Sequence, residues 1–384
     1  MGIHNKTYIC MIYIDGRFLT QKMTGVQRFA FEICKRIKET MRGQAVLVCP
    51  SDIIMEEEAR ELDVQTIGKH HGHIWEQYDL PVFLKKQGSP LLLCLCNLAP
   101  LFYSNKIIAV HDVAFEVFPK TFSKGFAWYY KFMIPRLIRS SKHIVSVSDF
   151  SKHEIMHYYN VDDRAISVIY NAVSDKFRHI ENPLKKKENY FLCVSSLNHR
   201  KNFVAILKAF SKFSKLDCEA KLYVIGDLST ESFAHLCLDE YLQNPRIRFL
   251  DRVNDLELVE YYSNAIGFIY PSLYEGFGLP PLEAQKCGCP VLCSDIPVLH
   301  EVCRDSVLYC NPYDIDDMAE KLGQIDSKRG ELQEKGYKNV TRFSWENSCQ
   351  KLCNIMTSTQ QMHNMSQLRK LLISRASKEK KNKL

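Results

Sequence analysis

Short apolar runs alternate with amphipathic stretches along the chain, which predicts an α/β protein with parallel sheets. In the first half, the strand candidates are YICMIYI, AVLVCP, LLLCL, KIIAVHD and HIVSVS. Two helices are predicted between them, VQRFAFEICKRIKETM and FAWYYKFMIPRLIRSS. The first repeats apolar residues at helical spacing, at Phe29, Ile33, Ile37 and Met41.

A second series of the same kind fills the C-terminal half. Its strand candidates are YFLCVSS, KLYVIGD, RIRFLD, AIGFIYPS, PVLCSD and VLYCN, with a helix from Asn202 to about Ser214 and a final helix beginning near FSWENSCQKLCNIM. The intervening stretch ENPLKKKEN is charged, contains a proline and lacks periodicity, so it is the best linker candidate. We therefore expect one domain over residues 1–175, a second over 176–345, a helix over 346–368 and a basic tail over 369–384.

Length and charge narrow the classes of function. A chain of 384 residues with 46% apolar and 25% charged residues is typical of a globular protein with two domains. Its net charge is +7, but residues 369–384 hold seven Lys or Arg against one Glu, a net of +6. The remainder is nearly neutral, and a local basic tail argues against a nucleic-acid groove.

The fifteen cysteines are scattered through apolar runs, and their odd number favours a reduced compartment over a disulfide framework. Cys287, Cys289 and Cys293 lack a fourth ligand at metal-site spacing and are expected to be buried and structural. No export signal precedes the first strand and no apolar run reaches 18 residues, so we expect a cytoplasmic protein.

No metal site is expected. His70, His71 and His73 form a metal-like cluster, but without an acidic or cysteine partner nearby they are interpreted as a loop. The D-x-D sequence that begins at Asp314 resembles a metal-binding motif, yet NPYDIDDMAEKL fits a helix N-cap with an acidic first turn better.

A glycine-rich turn, EGFGLPPLEA, follows a strand and precedes a helix that is expected to begin at Pro280 or Pro281. Gly276 and Gly278 then lie just before a helix N-terminus, where free backbone N–H groups and the helix dipole attract an anion. Glycines also allow a phosphate to approach the backbone closely.

Two carboxylates flank this turn, Glu275 before it and Glu283 in the first helical turn. Carboxylates suit sugar hydroxyls better than phosphates, because they accept hydrogen bonds. The ligand that fits has phosphate in the middle and hydroxyls on either side, as a nucleotide sugar does. The alternative is that Glu283 only complements the helix dipole while the glycines form a tight turn.

A second group of residues lies in YFLCVSSLNHRKNFVAILKAF. Its buried strand is expected to end at Ser195 and Ser196, which places Arg200 and Lys201 in a loop at the carboxyl end of a strand, where open α/β sheets bind ligands. Two cations there can neutralise a diphosphate leaving group. The alternative is a pair of solvated loop cations.

Together these motifs resemble retaining glycosyltransferase family 4. Residues 143–355 carry its E-x7-E motif at Glu275 and Glu283, and SSLNHRKNF, VSDFSKHEI, VIYNAVSDKF and FSWE are similar to other family segments. The N-terminal half is similar more loosely, through TGVQR, HIWEQYDLP and VHDVAFEVFP. The resemblance implies a GT-B fold, in which two Rossmann-like domains with parallel sheets face a central cleft and a C-terminal helix packs back toward the N-terminal domain.

The resemblance also implies roles for individual residues of the C-terminal domain. Arg200 and Lys201 would hold the donor diphosphate, and Glu283 would bind the ribose hydroxyls. Glu275 would contact hydroxyls of the transferred sugar. Backbone N–H groups of the turn would help Glu275 to hold this sugar. They belong to Gly276, Phe277, Gly278 and Leu279. The base would lie against the LDRV segment that contains Arg252 and Val253.

From the N-terminal domain, Gly25 matches a loop glycine that approaches the phosphates, and His111 matches a histidine that faces the donor sugar. The catalytic group implied is thus His111, Glu275, Arg200 and Lys201. Retention of configuration demands charge stabilisation and placement rather than a strong base, and neither a metal nor another cofactor is expected.

The function expected is hexose transfer, with mannose favoured, from a GDP or UDP sugar to a glycan or lipid-linked acceptor in bacterial O-antigen or capsule synthesis. A GT-B epimerase-like enzyme and a non-catalytic nucleotide-sugar-binding module are the alternatives. The basic residues 369–384 and the stretch FSKGFAWYYKFMIPRLIRSSK are expected to contact an anionic membrane surface. A solvated, disordered tail is the other interpretation.

Overall fold

The computed structural model describes residues 11–181, 189–194, 199–215, 219–226 and 239–381, with the backbone alone for residues 239 and 366–381. Ser195, Ser196 and most of the ENPLKKKEN linker lie outside the described residues, as do the first three residues of YICMIYI.

The N-terminal half forms a parallel sheet with seven strands among the described residues. In chain order they are β1 Ile12–Asp15, β2 Ala45–Cys49, β3 Gln65–Thr66, β4 Leu91–Cys94, β5 Lys106–Ala109, β6 His143–Ser146 and β7 Ile166–Val168. Their order across the sheet is β3-β2-β1-β4-β5-β6-β7. All five strands expected from the apolar runs are present, and their continuous apolar sequences fit a sheet that is covered on both faces.

The C-terminal half forms a second parallel sheet, with six strands in the described part. They are β8 Tyr190–Val194, β9 Lys221–Ile225, β10 Ile247–Leu250, β11 Gly267–Tyr270, β12 Val291–Ser294 and β13 Leu308–Cys310. Their order is β10-β9-β8-β11-β12-β13. The order reverses beside β8, and ligands bind at the carboxyl ends of strands at such a point.

Helices cover both sheets. Those of the N-terminal half are α1 Gly25–Thr40, α2 Glu56–Leu62, α3 Gly72–Ile74, α4 Leu80–Lys86, α5 Ala114–Val117, α6 Lys124–Ser140 and α7 Asp149–Tyr159, with a π-helical turn Trp75–Asp79 between α3 and α4. Those of the C-terminal half are α8 Phe203–Phe213, α9 Asp239–Leu242, α10 Asp255–Asn264, α11 Leu279–Lys286, α12 Pro297–Cys303, α13 Ile315–Gln324, α14 Arg329–Val340 and α15 Trp345–Lys381.

Helix α15 packs back against α1 of the N-terminal domain, as expected. Trp345 contacts Phe29 at 6.0 Å between ring centroids, and Glu346 Oε1 accepts a hydrogen bond from Arg36 Nε at 2.7 Å. The helix begins within the predicted FSWE segment and continues unbroken to Lys381, so residues 369–381, suggested by the sequence as a separate tail, continue this helix.

The structural prediction for the clustered cysteines is confirmed, because Cys287, Cys289 and Cys293 are all buried and free. Asp314 caps α13 as expected, since its side chain accepts hydrogen bonds from two backbone N–H groups of the first turn. Within the described part of the chain, no group of three or more His, Cys, Asp or Glu side chains is arranged to hold a metal ion.

His70 and His71 lie in a loop as expected, but His73 lies in α3, and the expectation that the cluster has no acidic partner nearby is wrong. His70 Nδ1 lies 2.9 Å from Asp79, His71 Nδ1 lies 3.1 Å from Asp52, and His73 Nδ1 lies 3.6 Å from Glu76. Residues 72–86 are helical, and this helical path brings Glu76 and Asp79 close to His73 and His70. Asp52 comes from the segment after β2.

Candidate functional site

The two sheets face a cavity of about 520 Å³ between the domains. The N-terminal domain contributes Gly25, Arg28 and His111 to its walls, among others. The C-terminal domain contributes Arg200, Lys201, Glu275, Gly276, Phe277, Gly278, Leu279 and Glu283. The structure therefore brings ten of the twelve residues singled out in the sequence into one place.

A larger cavity, of about 760 Å³, lies between α1, β2 and α2, away from this cleft. None of the twelve candidate site residues lines it. It is also not at the carboxyl ends of the strands, so the interdomain cavity is the better candidate for an active site.

Lys201 and Glu275 form an ion pair at the centre of the interdomain cavity. Lys201 Nζ donates a hydrogen bond to Glu275 Oε1 at 2.5 Å and to the Tyr270 hydroxyl at 3.2 Å. Burial of the Glu275 carboxyl favours its neutral form, but Lys201 and then Arg200 outweigh burial and hold the pKa of Glu275 below its usual value. Glu275 is thus a buried carboxylate that can accept hydrogen bonds from a ligand.

Arg200 lies beside this pair, on a 3₁₀ turn after β8. Its Nη1 is 3.5 Å from the Tyr274 carbonyl oxygen and 3.9 Å from Asp112 Oδ2 of the N-terminal domain. Its own carbonyl oxygen accepts a hydrogen bond from the backbone N–H of Leu273 at 2.8 Å, which joins the two motifs that supply the cations and the carboxylate. Two cations within one cleft can hold a diphosphate.

Helix α11 begins at Leu279, one residue earlier than the prolines suggested, with Gly278 as its N-cap. Gly278 has φ +96°, a left-handed conformation that favours glycine. A Cβ at this position would also lie 2.7 Å from a Leu299 methyl carbon. Gly278 and Leu279 at this helix start line the cavity, and both carry a backbone N–H, whereas Pro280 and Pro281 have none.

Gly276 packs directly against the N-terminal domain. A Cβ here would lie 2.7 Å from the His111 carbonyl oxygen and 3.0 Å from Asp112 Cβ. The Gly276 carbonyl oxygen accepts hydrogen bonds from the hydroxyls of Ser148 at 2.6 Å and Ser151 at 3.0 Å, both at the start of α7. The N-terminal domain therefore fixes the turn that carries Glu275.

Glu283 lies at the other end of the cavity, near an ion pair that crosses between the domains. Arg28 of α1 donates two hydrogen bonds to Asp255 of α10, Nη1 to Oδ2 at 3.1 Å and Nη2 to Oδ1 at 2.9 Å. Burial raises the pKa of Glu283 to about 7, an effect that Arg28 opposes and Asp255 reinforces. Near neutral pH this carboxyl can therefore either donate or accept a hydrogen bond.

His111 is buried in the opposite wall, at the end of β5. Its Nε2 lies 2.8 Å from the Leu95 carbonyl oxygen, which can only accept, so the neutral ring carries its proton on Nε2 and leaves Nδ1 as an acceptor. Burial lowers the pKa of His111, although the Leu95 carbonyl and Asp112 oppose the shift. Phe29 packs edge-on against the ring at 5.0 Å and fixes its plane.

Arg252 and Val253 do not line this cavity. They follow β10, where Arg252 is exposed and Val253 packs against the core. The assigned contact with a base stays a prediction for these two residues.

Sequence reasoning missed Arg28, Asp112, Asn171 and Tyr270, which all line the cavity. Arg28 follows Gly25 by three residues in α1 and so lies on the same face of the helix, a spacing that the TGVQR segment already contained. Tyr270 ends β11. A tyrosine at the end of a strand indicates a binding site less clearly than the spacing of Gly25 and Arg28 does.

Among the described residues, no helix is long and apolar enough to cross a membrane.

Two family models together match residues 23–343. The model for Glycosyltransferase Family 4 covers residues 23–177, and the model for Glycosyl transferases group 1 covers residues 174–343. The O-antigen chain mannosyltransferase RfbU of Salmonella typhimurium is 36% identical over 63% of this chain and 67% of its own length. O-antigen chain mannosyltransferase B of Escherichia coli is 28% identical over 85% of this chain and 93% of its own length.

The fold is also that of solved glycosyltransferases. A crystal structure of Anabaena Alr3699/HepE in complex with UDP and glucose superposes with a TM-score of 0.71, over 91% of this chain and 99% of that chain, at 15% identity. The two parallel sheets, the cleft between them and the returning helix are those of the GT-B architecture. With both halves matched by family models and the cleft motifs assembled, the chain belongs to glycosyltransferase family 4 and is a glycosyltransferase.

Proposed function

We propose that this enzyme transfers mannose, with retention of configuration, from a nucleotide sugar to a glycan or lipid-linked acceptor during bacterial O-antigen synthesis. The observation that carries the proposal is the buried Glu275 with the partly buried Arg200 and Lys201 beside the start of α11. The mannosyltransferase names of two relatives support the choice of sugar and pathway. Both GDP and UDP donors fit, because a base bound through backbone groups leaves no side-chain code.

In this mechanism the bond between the anomeric carbon and the donor diphosphate breaks while the acceptor oxygen bonds to the same carbon. The acceptor attacks from the face that the phosphate leaves, and its proton passes to the departing phosphate oxygen. Arg200, Lys201 and the N–H groups at the start of α11 would stabilise the charge that develops on the diphosphate. No strong base is needed for this step, which agrees with a His111 ring that is buried, neutral and bonded to Leu95.

The carboxylates would place the donor. Glu275 would accept hydrogen bonds from hydroxyls of the transferred sugar, and Glu283 would bind the ribose hydroxyls. The chemistry requires no metal, since the two cations and the helix start supply positive charge at the leaving group.

A thermal-shift screen of GDP and UDP sugars tests the proposal, because a ligand that binds only the folded protein raises its melting temperature. We expect a shift with GDP-mannose or another nucleotide sugar, lost in Lys201→Ala. Lys335→Ala is the matched control, since this surface lysine pairs with Glu331 at 2.8 Å in the same domain. No shift with any donor would contradict the transferase proposal. A shift followed by epimerised or unchanged sugar would favour an epimerase or a binding module.

We also propose that the enzyme works at the inner face of the plasma membrane. Helix α6 exposes Trp128, which stacks on Phe132 at 5.7 Å between ring centroids, and Arg136 lies 3.7 Å above the Phe132 ring. Basic and aromatic side chains on one helix suit an anionic lipid surface, and each basic residue near it contributes on the order of 1 kcal/mol. The basic residues 369–384 would add to this attraction.

Flotation with anionic vesicles at low salt tests the membrane proposal. Trp128→Ala with Arg136→Ala should release the protein, and neutral vesicles should not bind it. If deletion of residues 369–384 leaves binding unchanged, the tail has no part in it.

A further inference from the structure

A second cluster of buried charged groups lies in the N-terminal domain, outside the donor cavity. Strand β1 ends at Asp15, whose Oδ1 accepts a hydrogen bond from the Arg17 backbone N–H at 2.9 Å. The Arg17 side chain donates from Nε to Glu76 Oε1 at 2.9 Å. All three side chains are less than a tenth exposed. The proposed donor chemistry uses none of them.

The charge of this cluster excludes one class of ligand. Two carboxyls lie near one guanidinium. Burial followed by repulsion from Glu76 raises the pKa of Asp15, whereas burial of Glu76 is outweighed by Arg17, which holds the pKa of Glu76 below its usual value. The three groups together are therefore uncharged or carry one negative charge. A phosphate or another anion would not be attracted to such a group. Neutral hydroxyl groups would, because carboxylate oxygens accept hydrogen bonds.

Aromatic side chains form the exposed rim of this cluster. His73 Nδ1 lies 3.6 Å from Glu76 Oε2, and the His73 side chain is 52% exposed. The Tyr129 ring, from α6, contacts the His73 ring at 5.0 Å between centroids. Tyr130 follows on the same helix and packs against Tyr129 at 6.4 Å. A partly exposed imidazole and phenol over a buried carboxylate can contact both the apolar face and the hydroxyls of a sugar ring.

The cluster adjoins the donor cavity through an aromatic contact. The Tyr130 ring packs against Phe115 at 5.5 Å between centroids, and Phe115 lies in α5, three residues after Asp112, which lines the cavity. A molecule on the rim would therefore approach the donor from the N-terminal side.

The backbone that carries Glu76 is unusual. Residues Trp75–Asp79 form a single π-helical turn between α3 and α4, and such turns occur frequently at functional sites. The HIWEQYDLP segment that covers this turn has no part in the donor site. Desolvation offsets much of the attraction within a buried ion pair, so the Arg17–Glu76 pair contributes little to the stability of the fold. A role in binding would account for the pair.

From this arrangement we infer that His73 and Tyr129 bind the acceptor saccharide, a neutral sugar, while Glu76 and Arg17 are positioning residues that hold His73. The inference rests on the proposed transferase function. It adds that these two residues of the N-terminal domain bind the acceptor, and that they recognise a sugar ring rather than a phosphate or a lipid chain.

The test measures sugar binding and donor chemistry separately in the full-length protein. Saturation-transfer NMR would detect the methyl glycosides of mannose, galactose and N-acetylglucosamine, with inorganic phosphate as competitor. We expect at least one glycoside signal with wild-type protein, which phosphate does not displace. The double variant His73→Ala with Tyr129→Ala should lose the signal while hydrolysis of the donor by water and the donor-induced thermal shift stay unchanged. Glu76→Gln should raise the KM for the acceptor at least tenfold with little change in kcat.

The matched control is His157→Ala with Tyr158→Ala. These two residues contact each other at 5.3 Å between ring centroids near the end of α7, in the same domain, and both are exposed. The control should keep the glycoside signal. A persistent signal in the His73 and Tyr129 variant, or no glycoside signal in a wild-type protein that transfers sugar, would overturn the acceptor inference alone. A wild-type protein without donor binding or hydrolysis would instead remove the transferase proposal on which it rests.

Discussion

The two walls of the cleft are built in different ways. The C-terminal wall takes its charged residues from two short segments, residues 199–201 and 270–283, which converge where β8 and β11 lie side by side. The N-terminal wall draws on four separate segments, residues 23–28 at the start of α1, 111–112 after β5, 147 after β6 and 171 after β7. Two short motifs suffice to bind a diphosphate, a group that all nucleotide-sugar donors share. A wall built from separate segments can instead vary from one enzyme to another as the acceptor varies.

The largest expected effect comes from the contiguous wall. Lys201→Ala and Glu275→Gln should each lower kcat by about 10²- to 10³-fold, because each removes a group placed against charge or hydroxyls of the donor in a buried site. The value of kcat is measured from the rate at which the nucleoside diphosphate is released.

Lys212→Ala is the control for this first prediction, since it breaks an exposed ion pair with Asp316 in the same domain. Wild-type turnover in the Lys201 and Glu275 variants would show that the C-terminal wall is not the donor site.

The second prediction concerns the contact between the walls. Gly276→Ala would place a Cβ 2.7 Å from the His111 carbonyl oxygen, so the turn must move away from the N-terminal domain. A displacement on the order of 1 Å at the reacting groups costs about 100-fold in rate, and we expect a loss of that size in kcat/KM. The Ser148 and Ser151 hydrogen bonds to this turn should weaken with it.

Gly125→Ala in α6 is the matched control, because a Cβ there meets no other atom within 4 Å. An active Gly276→Ala enzyme would mean that the closely packed domain contact is not needed for transfer.

The third prediction uses the pH dependence of Glu283. The folded protein keeps a proton on this carboxyl up to pH about 7, whereas an ordinary carboxyl releases it near 4.5. Between these values the folded state binds more protons than the unfolded chain, so the free energy of unfolding falls as pH rises and then levels off. The contribution of Glu283 to this fall is on the order of 3 kcal/mol.

Glu283→Gln should abolish that part of the fall, which urea unfolding of both proteins at several values between pH 4.5 and 8 would measure. The raised pKa of Asp15 gives a slope of the same sign in both proteins and cancels in the difference. A constant difference between the two stabilities across this range would contradict a protonated Glu283.

The difference between the walls also explains what the sequence could predict. Strands and helices followed from apolar runs and periodicity, because a doubly covered parallel sheet requires continuous apolar strands. Glu275 and Glu283 could be assigned because their spacing, the glycines and the helix start lie within nine residues. The pairing of Arg28 with Asp255 joins residues 227 positions apart, which no local pattern encodes.

The histidine cluster shows the same limit within one domain. Its carboxylates were overlooked because Asp79 and Glu76 come close only when residues 72–86 become helical, and Asp52 only when β2 is placed in the sheet. Tyr129, which contacts His73, lies in α6, and the two residues are 56 positions apart in the chain. Chain proximity therefore predicts the charged residues of the C-terminal wall and fails for the contacts of the histidine cluster.

The smallest expected effect belongs to Arg252, which the resemblance placed against the base but which is exposed and outside the cavity. If the base is held by backbone groups after β10, Arg252→Ala should change the dissociation constant of the donor less than about twofold, since exposed charges contribute little in water. Titration of GDP and UDP against both proteins measures this. A larger loss for one nucleotide alone would mean that the Arg252 side chain reads the base, and the donor would then be the nucleotide whose binding fell.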